Sequence, residues 1–563
     1  MLNEFRFLFA NRPISNGVLN PDNPNINVQG IASFNGNSNG NRSSNERGFQ
    51  FINNTTWIKG RHTVKFGVDI LPVNFKERLT NINGQFVFGG LPAVAGVRGA
   101  ISPLDQFLNT ERGLVDPATS RPFSYTRFTQ SIGREFYDAS VLNQGYFIQD
   151  DIRLTANLKL NIGLRYEYFL RPDAIPNPDV PATATIPQDS NNWAPRAGLA
   201  WDLTGDGKTV LRTGGGIYYN TTVAQTWNNF FRGNGVEVFN INVSPADQGA
   251  PAFTRGRVEP ITGARRPVTD VRAVSDDFQD VMVYNYFATL ERSLGAGWGV
   301  SLTYQGNWGR DLPVSFNTNL RNTGNVLADG RTQWSSTNRP DPRFGNIFVS
   351  NSVASMNYNG MVVQVTKRMS RGLSLQASHQ YSKSRGFAFV DDFIGFGILR
   401  SPTDPQTLAF DGGPGDFDMR NRFLLTAVYE PNLTGGSAGM RNLINGWILS
   451  SRTIAQSGFS HDGTTGRDDN GDTVLNDRPV GNPYNNFKLP NYVTVDFRLT
   501  RTFTLFDRQR FEVIGEVFNV ANKVNITNVN RVWGINATPN ANFRQGTSAE
   551  NARQFQLALR WSF

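Results

Sequence analysis

The strongest constraint on the fold is the alternation at the carboxyl end of the chain. Phe555, Leu557, Leu559, Trp561 and Phe563 fall on one side of a period-two repeat, and mainly polar residues fall on the other. A soluble sheet rarely leaves such a strand at its edge, because an unpaired edge promotes aggregation. A membrane-spanning barrel instead pairs its last strand with its first. The pattern therefore predicts a transmembrane β-barrel.

The same alternation recurs along the chain. In segment 158–170, one face carries leucine, isoleucine and tyrosine, and the other carries mainly lysine, asparagine, glycine, arginine and glutamate. Segments 63–70 and 492–499 repeat the pattern, so Ile162 and Val495 are predicted to face lipid. The sequence contains no apolar run of about 20 residues, the length that a membrane helix needs. A barrel hides its apolar face in alternate positions, which agrees with a mean hydropathy of −0.38.

Short turns alternate with long polar loops. The turns lie at 59–60, 155–157, 204–207, 295–297, 370–372 and 506–508. The loops span 171–192, 221–277, 310–357, 385–419, 458–490 and 525–550. Short periplasmic turns and long extracellular loops are typical of outer-membrane barrels. We therefore predict an all-β antiparallel barrel of about sixteen strands, or about eighteen if Gln85–Phe88 and segment 123–132 form an extra pair.

Aromatic residues mark both ends of the predicted strands, as expected of the girdles at the two membrane interfaces. Those beside the turns are Trp57, Trp201, Trp298 and Trp447, and those at the loop ends are Tyr168, Trp193, Tyr219 and Trp308.

The face opposite the apolar one carries charges that admit two interpretations. The cations are Lys65, Lys159, Arg165, Arg196, Arg212, Arg422 and Arg498, and the acids are Asp69, Glu167, Asp202 and Asp496. A positive lumen would favour anionic solutes or the acids of a plug. Alternatively, the acids balance the cations in a generic polar wall.

Several classes of function are excluded or disfavoured. The chain has no cysteine, which excludes disulfides and thiolate chemistry. Its three histidines are far apart and lack the spacing of a catalytic zinc site. The net charge of +9 is spread along the chain without a basic run, so we do not expect nucleic-acid binding. Adjacent residues of a strand face opposite ways, so Asp150 and Asp151 cannot act as an acid/base pair. We predict no enzymatic activity.

One segment resembles a calcium loop. Asp468, Asn470 and Asp472 offer oxygens at alternate positions, and Asp477 follows. Pro479 stands where an EF-hand places its glutamate. The alternatives are a calcium ion that stiffens an external loop and a solvated Asp/Asn turn without a metal.

Several motifs together resemble the barrel of TonB-dependent outer-membrane receptors, in the Oar-like branch. They are Gly145-Tyr-Phe-Ile-Gln-Asp-Asp-Ile-Arg153, Leu158-Lys-Leu-Asn-Ile-Gly-Leu-Arg-Tyr-Glu167, Ala194-Pro-Arg-Ala-Gly-Leu-Ala-Trp201, Asp206-Gly-Lys-Thr-Val-Leu-Arg212 and Glu516-Val-Phe-Asn-Val-Ala-Asn522. The resemblance implies location in the outer membrane of a Gram-negative cell and energy-coupled uptake of a large solute, of siderophore, glycan or peptide class. It implies outer-membrane lipid, the barrel-assembly machinery and the TonB complex as partners, with the terminal strand 555–563 as the assembly signal.

The resemblance also sets expectations about extent. Such receptors usually have about 22 strands around a plugged lumen. Segment 1–7 reads as part of a strand and lacks the features of a signal peptide. We therefore expect residues 1–563 to be a single barrel domain, truncated at its amino end, without plug or signal peptide. A passive porin-like channel, an adhesion barrel and a soluble β-rich binding protein are the competing interpretations.

Overall fold

The main element of the fold is an antiparallel sheet in which each long strand pairs with the next along the chain. The computed structural model describes residues 1–17, 19–38, 42–78, 81–261, 268–387, 401–505 and 509–563. Its largest sheet has eighteen strands, of which sixteen are joined in sequence. The other two are short. Thr269–Val274 pairs in parallel with the long strand Phe344–Ser370, and Gly413–Pro414 pairs with the end of Leu373–Gly386. This is the predicted all-β antiparallel architecture.

The sixteen strands are β1 (Leu2–Asn16), β2 (Arg42–Lys59), β3 (His62–Arg78), β4 (Phe136–Arg153), β5 (Leu158–Leu170), β6 (Trp193–Asp202), β7 (Thr209–Asn220), β8 (Val281–Gly295), β9 (Trp298–Asn317), β10 (Phe344–Ser370), β11 (Leu373–Gly386), β12 (Asn421–Tyr429), β13 (Trp447–Gln456), β14 (Tyr492–Leu505), β15 (Gln509–Phe518) and β16 (Gln554–Ser562). The helices in the described ranges are α1 (Pro103–Glu111), α2 (Ala224–Arg232) and α3 (Ala438–Ile444), with a 3₁₀ turn at Pro181–Thr183. Short two-stranded pairs join Val115–Asp116 to Arg121–Pro122, Arg321–Val326 to Thr332–Ser335, Ser460–His461 to Phe487–Lys488, and Ile526–Val529 to Gly546–Ala549.

The strand register divides the sheet into an apolar outer face and a polar inner face. Ile162 on β5 stands opposite Ala197 on β6, and Val495 on β14 stands opposite Thr453 on β13. Residues directly opposite each other in an antiparallel pair lie on the same face. Following these pairs from β1 to β16 places the predicted lipid-facing residues on one continuous face. The alternation predicted for 158–170 and 492–499 is therefore confirmed.

Two aromatic belts border the outer face. On β9, Trp298 and Trp308 share this face and stand ten positions apart, and a transmembrane strand needs about 9–11 residues. At the loop end, Trp308 stacks on Tyr284 of β8 with ring centroids 5.2 Å apart. The ring centroids of Trp193 and of Tyr166 on β5 are 4.6 Å apart. The belts delimit a band of the height expected for the hydrocarbon layer.

A charge in the middle of this band should be poorly tolerated. Leu302 lies on the outer face between Trp298 and Trp308. Leu302→Arg should lower the free energy of folding into lipid vesicles by about 2–4 kcal/mol, because the guanidinium would sit in hydrocarbon. The neighbouring change Ser301→Arg puts the same charge on the inner face opposite Glu291 and should cost much less. Urea titrations in vesicles measure both, and equal penalties would contradict the assignment of faces.

A glycine on the outer face makes room for an aromatic ring. Gly306 stands opposite Tyr286, and a Cβ at Gly306 would lie 2.3 Å from Cζ of that ring. Tyr286 and Tyr304 both donate hydrogen bonds to Oδ1 of Asn359, at 3.0 and 2.7 Å. Gly306→Ala should therefore displace Tyr286 and cost about 1–3 kcal/mol of unfolding free energy. In a Tyr286→Ala background the same change should cost little, so an equal cost in both backgrounds would refute the packing explanation.

The possible extra pair of barrel strands is not in the barrel. Gln85–Phe88 does pair with Arg127–Gly133, but in a separate five-stranded sheet that also contains Asn25–Val28, Ala32–Asn35 and Val238–Val243. The four residues of Gln85–Phe88 reach only about 13 Å, too short to cross a bilayer. Phe86 and Val87 are both buried in protein, so neither face of the strand is available to lipid. In the part of the chain that the structure describes, the barrel strands therefore number sixteen, the lower of the two predicted counts.

Most of the predicted connections are confirmed, with one substantial change. The predicted loop 310–357 is shorter, because β9 continues to Asn317 and β10 begins at Phe344. These extensions are tied by a 2.9 Å hydrogen bond between the hydroxyls of Ser315 and Ser350. They lie beyond the aromatic belt, where no lipid-facing pattern announces a strand. The predicted turn at 506–508 lies outside the described residues. The helices of the described ranges are all too short or too polar to cross a membrane.

Candidate functional site

The loops build a compact cap at one end of the barrel. The five strands of the second sheet come from the connections β1–β2, β3–β4 and β7–β8. Its core is aromatic: Phe86, Phe88 and Phe128 are fully buried, and Phe253 packs edge-on against Phe86 and Phe88. Helix α1 covers this core with Phe107. We call this unit, residues 25–35, 85–133 and 238–261, the crown sheet.

Helix α2 packs onto the inner face of the barrel wall at the same end. Trp227 is fully buried in a cluster with Phe75 of β3 and Tyr137 of β4. The register places Phe75 on the inner face of β3 together with Lys65 and Asp69, and Tyr137 on the inner face of β4 together with Asp151. The side-chain amide of Asn228 donates a 3.2 Å hydrogen bond to the carbonyl oxygen of Phe75. Connection β7–β8 thus folds inward and narrows the mouth of the lumen.

Four of the seven cations predicted for the inner face form ion pairs. The pairs are Lys65–Asp151 at 3.8 Å, Arg165–Glu167 at 2.7 Å, Arg212–Glu291 at 3.1 Å and Arg498–Glu516 at 3.8 Å. Arg196 instead lies over the ring of Tyr218, 4.1 Å from its centroid. At these four pairs the inner face matches the second interpretation, a polar wall with balanced charges, and Glu167 is the one predicted acid among them.

A positive region remains at the turn end. A cavity of about 620 Å³ lies there against the strands from β2 to β8, and Arg61, Arg153 and Lys159 are among its lining residues. Asp151 is the only carboxylate among its described lining residues, and it already faces Lys65. This cavity is the part of the wall where the first interpretation, attraction of anionic groups, still applies.

The Asp/Asn loop binds its own backbone. Asp468 Oδ1 and Asn470 Oδ1 each accept a 3.0 Å hydrogen bond from the amide of Asp472. Asp472 accepts from the amide of Val474 at 2.7 Å, and burial raises the pKa of Asp472 to about 7. Asp477 is paired with Arg331. The structure brings the four predicted residues into one loop, but within the described ranges no cluster of three His, Cys, Asp or Glu side chains could hold a metal. Calcium binding stays a prediction.

Buried ion pairs tie three outer loops together, and the sequence did not predict them. Arg331 of connection β9–β10 contacts Asp477 of connection β13–β14, and both side chains are almost fully buried. Arg478 contacts Asp411 of connection β11–β12 at 3.0 Å. The amide of Thr332 donates a 3.0 Å hydrogen bond to Asp404, also in β11–β12. The only signal in the sequence was the Asn-Asp-Arg-Pro segment, which does not reveal its partners.

The predicted opposition of Asp150 and Asp151 is confirmed. On the outer face, near the turn between β2 and β3, Oδ2 of Asp150 lies 2.6 Å from Nδ1 of His62. Asp151 lies on the inner face beside Lys65. The two carboxylates therefore contact different partners and do not form an acid/base pair.

The terminal residues lie as their alternation predicts. Phe555, Leu557, Leu559 and Trp561 stand opposite outer-face residues of β15, and Phe563 continues the row. All five are highly exposed, Phe563 to 95%. Their role as an assembly signal stays a prediction.

Comparisons with known proteins identify the family. The family described as "outer membrane beta barrel domain" matches residues 9–487. A comparison with characterised protein sequences gives no match. Among solved structures, the chain is similar to the outer membrane transporter YddB from Escherichia coli, with a TM-score of 0.56 and 12% identity over 99% of this chain and 60% of that one. It is also similar to a variant of the ferric enterobactin receptor PfeA from Pseudomonas aeruginosa in complex with enterobactin, with a TM-score of 0.50 and 12% identity over 99% of this chain and 59% of that one.

The chain thus spans about 60% of the length of these two proteins. At 12% identity the likeness concerns the fold. The sixteen-stranded meander, its apolar outer face and the family match over most of the chain lead to one conclusion: this chain belongs to the outer membrane beta barrel domain family and is located in the cell outer membrane.

Proposed function

We propose that the chain is the barrel part of a TonB-dependent receptor that imports a large solute across the outer membrane. The observation that carries the proposal is the cap: an inward-folded α2 covers the inner face at the loop end, and Val238 of the crown sheet packs into the same cluster. A barrel that imports a captured solute needs such a covered mouth. The motifs quoted from 145–212 and 516–522 and the fold likeness to a transporter and a receptor support it.

In this proposal the long loops meet the solute outside the cell, and the polar inner face provides its path. The TonB complex would act through a plug region preceding the barrel. Outer-membrane lipid contacts the outer face, and the barrel-assembly machinery reads strand β16. The chain performs no chemical step.

The runner-up is a passive porin-like channel, which the continuous polar inner face favours. Energy dependence separates the two functions. Cells that express the full-length gene product would be given labelled ferric siderophores, oligosaccharides and peptides, with and without a protonophore or a tonB deletion. Import that stops in both cases supports the receptor. Import that continues unchanged would establish a passive channel instead.

A further inference from the structure

One sector of the inner face differs from the rest because it carries no charge. The inner-face positions are the odd ones from 299 to 309 on β9 and the even ones from 356 to 366 on β10 and from 374 to 384 on β11. None of them is Asp, Glu, Lys or Arg. We call this sector the neutral wall. The neighbouring strands carry charges on this face: Glu291 of β8 pairs with Arg212 on one side, and Arg422 of β12 stands opposite Gln380 on the other.

Amide and hydroxyl groups dominate the neutral wall, and a tyrosine holds some of them in place. Tyr358 Oη accepts hydrogen bonds from the side-chain amides of Gln305 at 3.4 Å and Gln380 at 3.0 Å. The Gln380 amide also donates to the hydroxyl of Ser382 at 3.2 Å. Each glutamine has two N–H donors and one carbonyl acceptor, so both retain capacity for a further partner. The groups are therefore positioned by the protein and still able to bind.

An aromatic ring borders the neutral wall. Phe287 of β8 lies on the inner face directly opposite Gln305 and is 40% exposed. Phe287 also lines the 620 Å³ cavity at the turn end of the barrel. Tyr358 provides a second, half-buried ring, one step further toward the loop end. The wall therefore combines neutral hydrogen-bonding groups with two aromatic surfaces.

We propose that the neutral wall binds neutral polyhydroxylated solutes, that is, uncharged oligosaccharides. Their hydroxyls both donate and accept, as amides and serines do, and the C–H faces of sugar rings pack on aromatic rings. A charged solute would lose hydration on the wall itself, where no side chain carries an opposite charge, and Arg422 of β12, opposite Gln380, lies at its border. This inference rests on the proposed function, because it assumes that the lumen is the solute's path, and it names the class of solute.

Direct titration tests the inference on the full chain in detergent micelles. The probes are glucose hexamers with α-1,4, β-1,4 and β-1,3 linkages, a hexamer of galacturonic acid and an uncharged hexapeptide. We expect at least one glucose hexamer to bind with a Kd below about 10 mM and about tenfold tighter than the acidic hexamer or the peptide. Tighter binding of the acid would assign the site to the basic cavity, and tighter binding of the peptide would change the solute class. Either result, or no glucose hexamer binding, overturns the inference.

Variants locate the site. Phe287→Ala and Gln305→Glu should each weaken binding of the glucose hexamer about tenfold, through loss of a ring surface and gain of a charge. Gln50→Ala, on the inner face of β2 outside the neutral wall, should leave binding unchanged. Heat-modifiable gel mobility verifies that each variant is folded. Equal affinity of all variants would overturn the inference.

The two proposals fail separately. Energy-dependent import of another solute without binding of neutral hexamers rejects the neutral wall and keeps the receptor. Binding of neutral hexamers at the wall with import that ignores the protonophore rejects the receptor and keeps the wall.

Discussion

Replacing Trp227 with alanine should detach helix α2 from the barrel wall, at a cost of about 3–5 kcal/mol. The ring is fully buried against Phe75 and Tyr137, and the guanidinium of Arg171 lies 5.8 Å from its centroid. The cavity left by alanine cannot be refilled by rigid barrel strands. Hydrogen exchange in segment 221–243 should therefore accelerate, while exchange in β9 to β11 should stay slow.

Gln225→Ala provides the matched control. Gln225 lies on the same helix, is half-buried and is not part of the cluster, so its loss should change stability by less than about 0.5 kcal/mol. If Trp227→Ala left exchange in segment 221–243 as slow as in the unmodified chain, α2 would not be held in the lumen mouth.

Asp477→Asn should loosen the three outer loops together. The change keeps the shape of the side chain but removes the negative charge that pairs with the buried Arg331. Asp329, whose Oδ2 lies 2.6 Å from Nε of Arg331, is then the remaining carboxylate beside it. Removing one partner of a buried ion pair costs about 3–5 kcal/mol. Limited proteolysis should then cut connections β9–β10 and β13–β14 at similar, increased rates.

A double variant distinguishes loss of the buried ion pair from general damage to the loop that carries it. Arg331→Met with Asp477→Asn removes both charges and keeps a side-chain oxygen for the backbone amides of Asp469 and Asn470, so it should recover part of the lost stability. Arg343→Ala, which breaks the pairs of the exposed Arg343 with Asp341 and Asp179, should have little effect. Cleavage confined to one loop in Asp477→Asn would show that the network does not couple the loops.

The membrane-spanning part of the fold was predictable from the sequence because lipid imposes a strict period. Ile162 and Val495 must alternate with polar neighbours, since one face meets hydrocarbon and the other meets water. Trp298 and Trp308 likewise stand where the interfaces require them. Each of these features depends on a few consecutive residues, so a single sequence contains the signal.

The cap was not predictable, because its contacts join residues that are distant in the chain. Phe86, Phe128 and Phe253 meet in the crown sheet although they belong to different connections or to distant parts of one. Outside the membrane no period distinguishes a strand from a loop, so the sequence pattern of Gln85–Phe88 also fits a barrel strand. Arg331 and Asp477 pair across two loops, and neither residue announces its partner.

The assignment of the lumen, the cap and the neutral wall depends on the alternation of faces along β9. The chain has no cysteine, so a single cysteine introduced by substitution is the only residue that a maleimide can label at a thiol. Five variants would carry it at Ser301, Leu302, Thr303, Tyr304 or Gln305. In lipid vesicles, a membrane-impermeant maleimide added to both sides should label positions 301, 303 and 305 and spare 302 and 304. A fluorophore attached in detergent at 302 or 304 should be quenched by brominated lipid after reconstitution. Uniform labelling along all five positions would contradict a lipid-facing outer face and, with it, the barrel lumen.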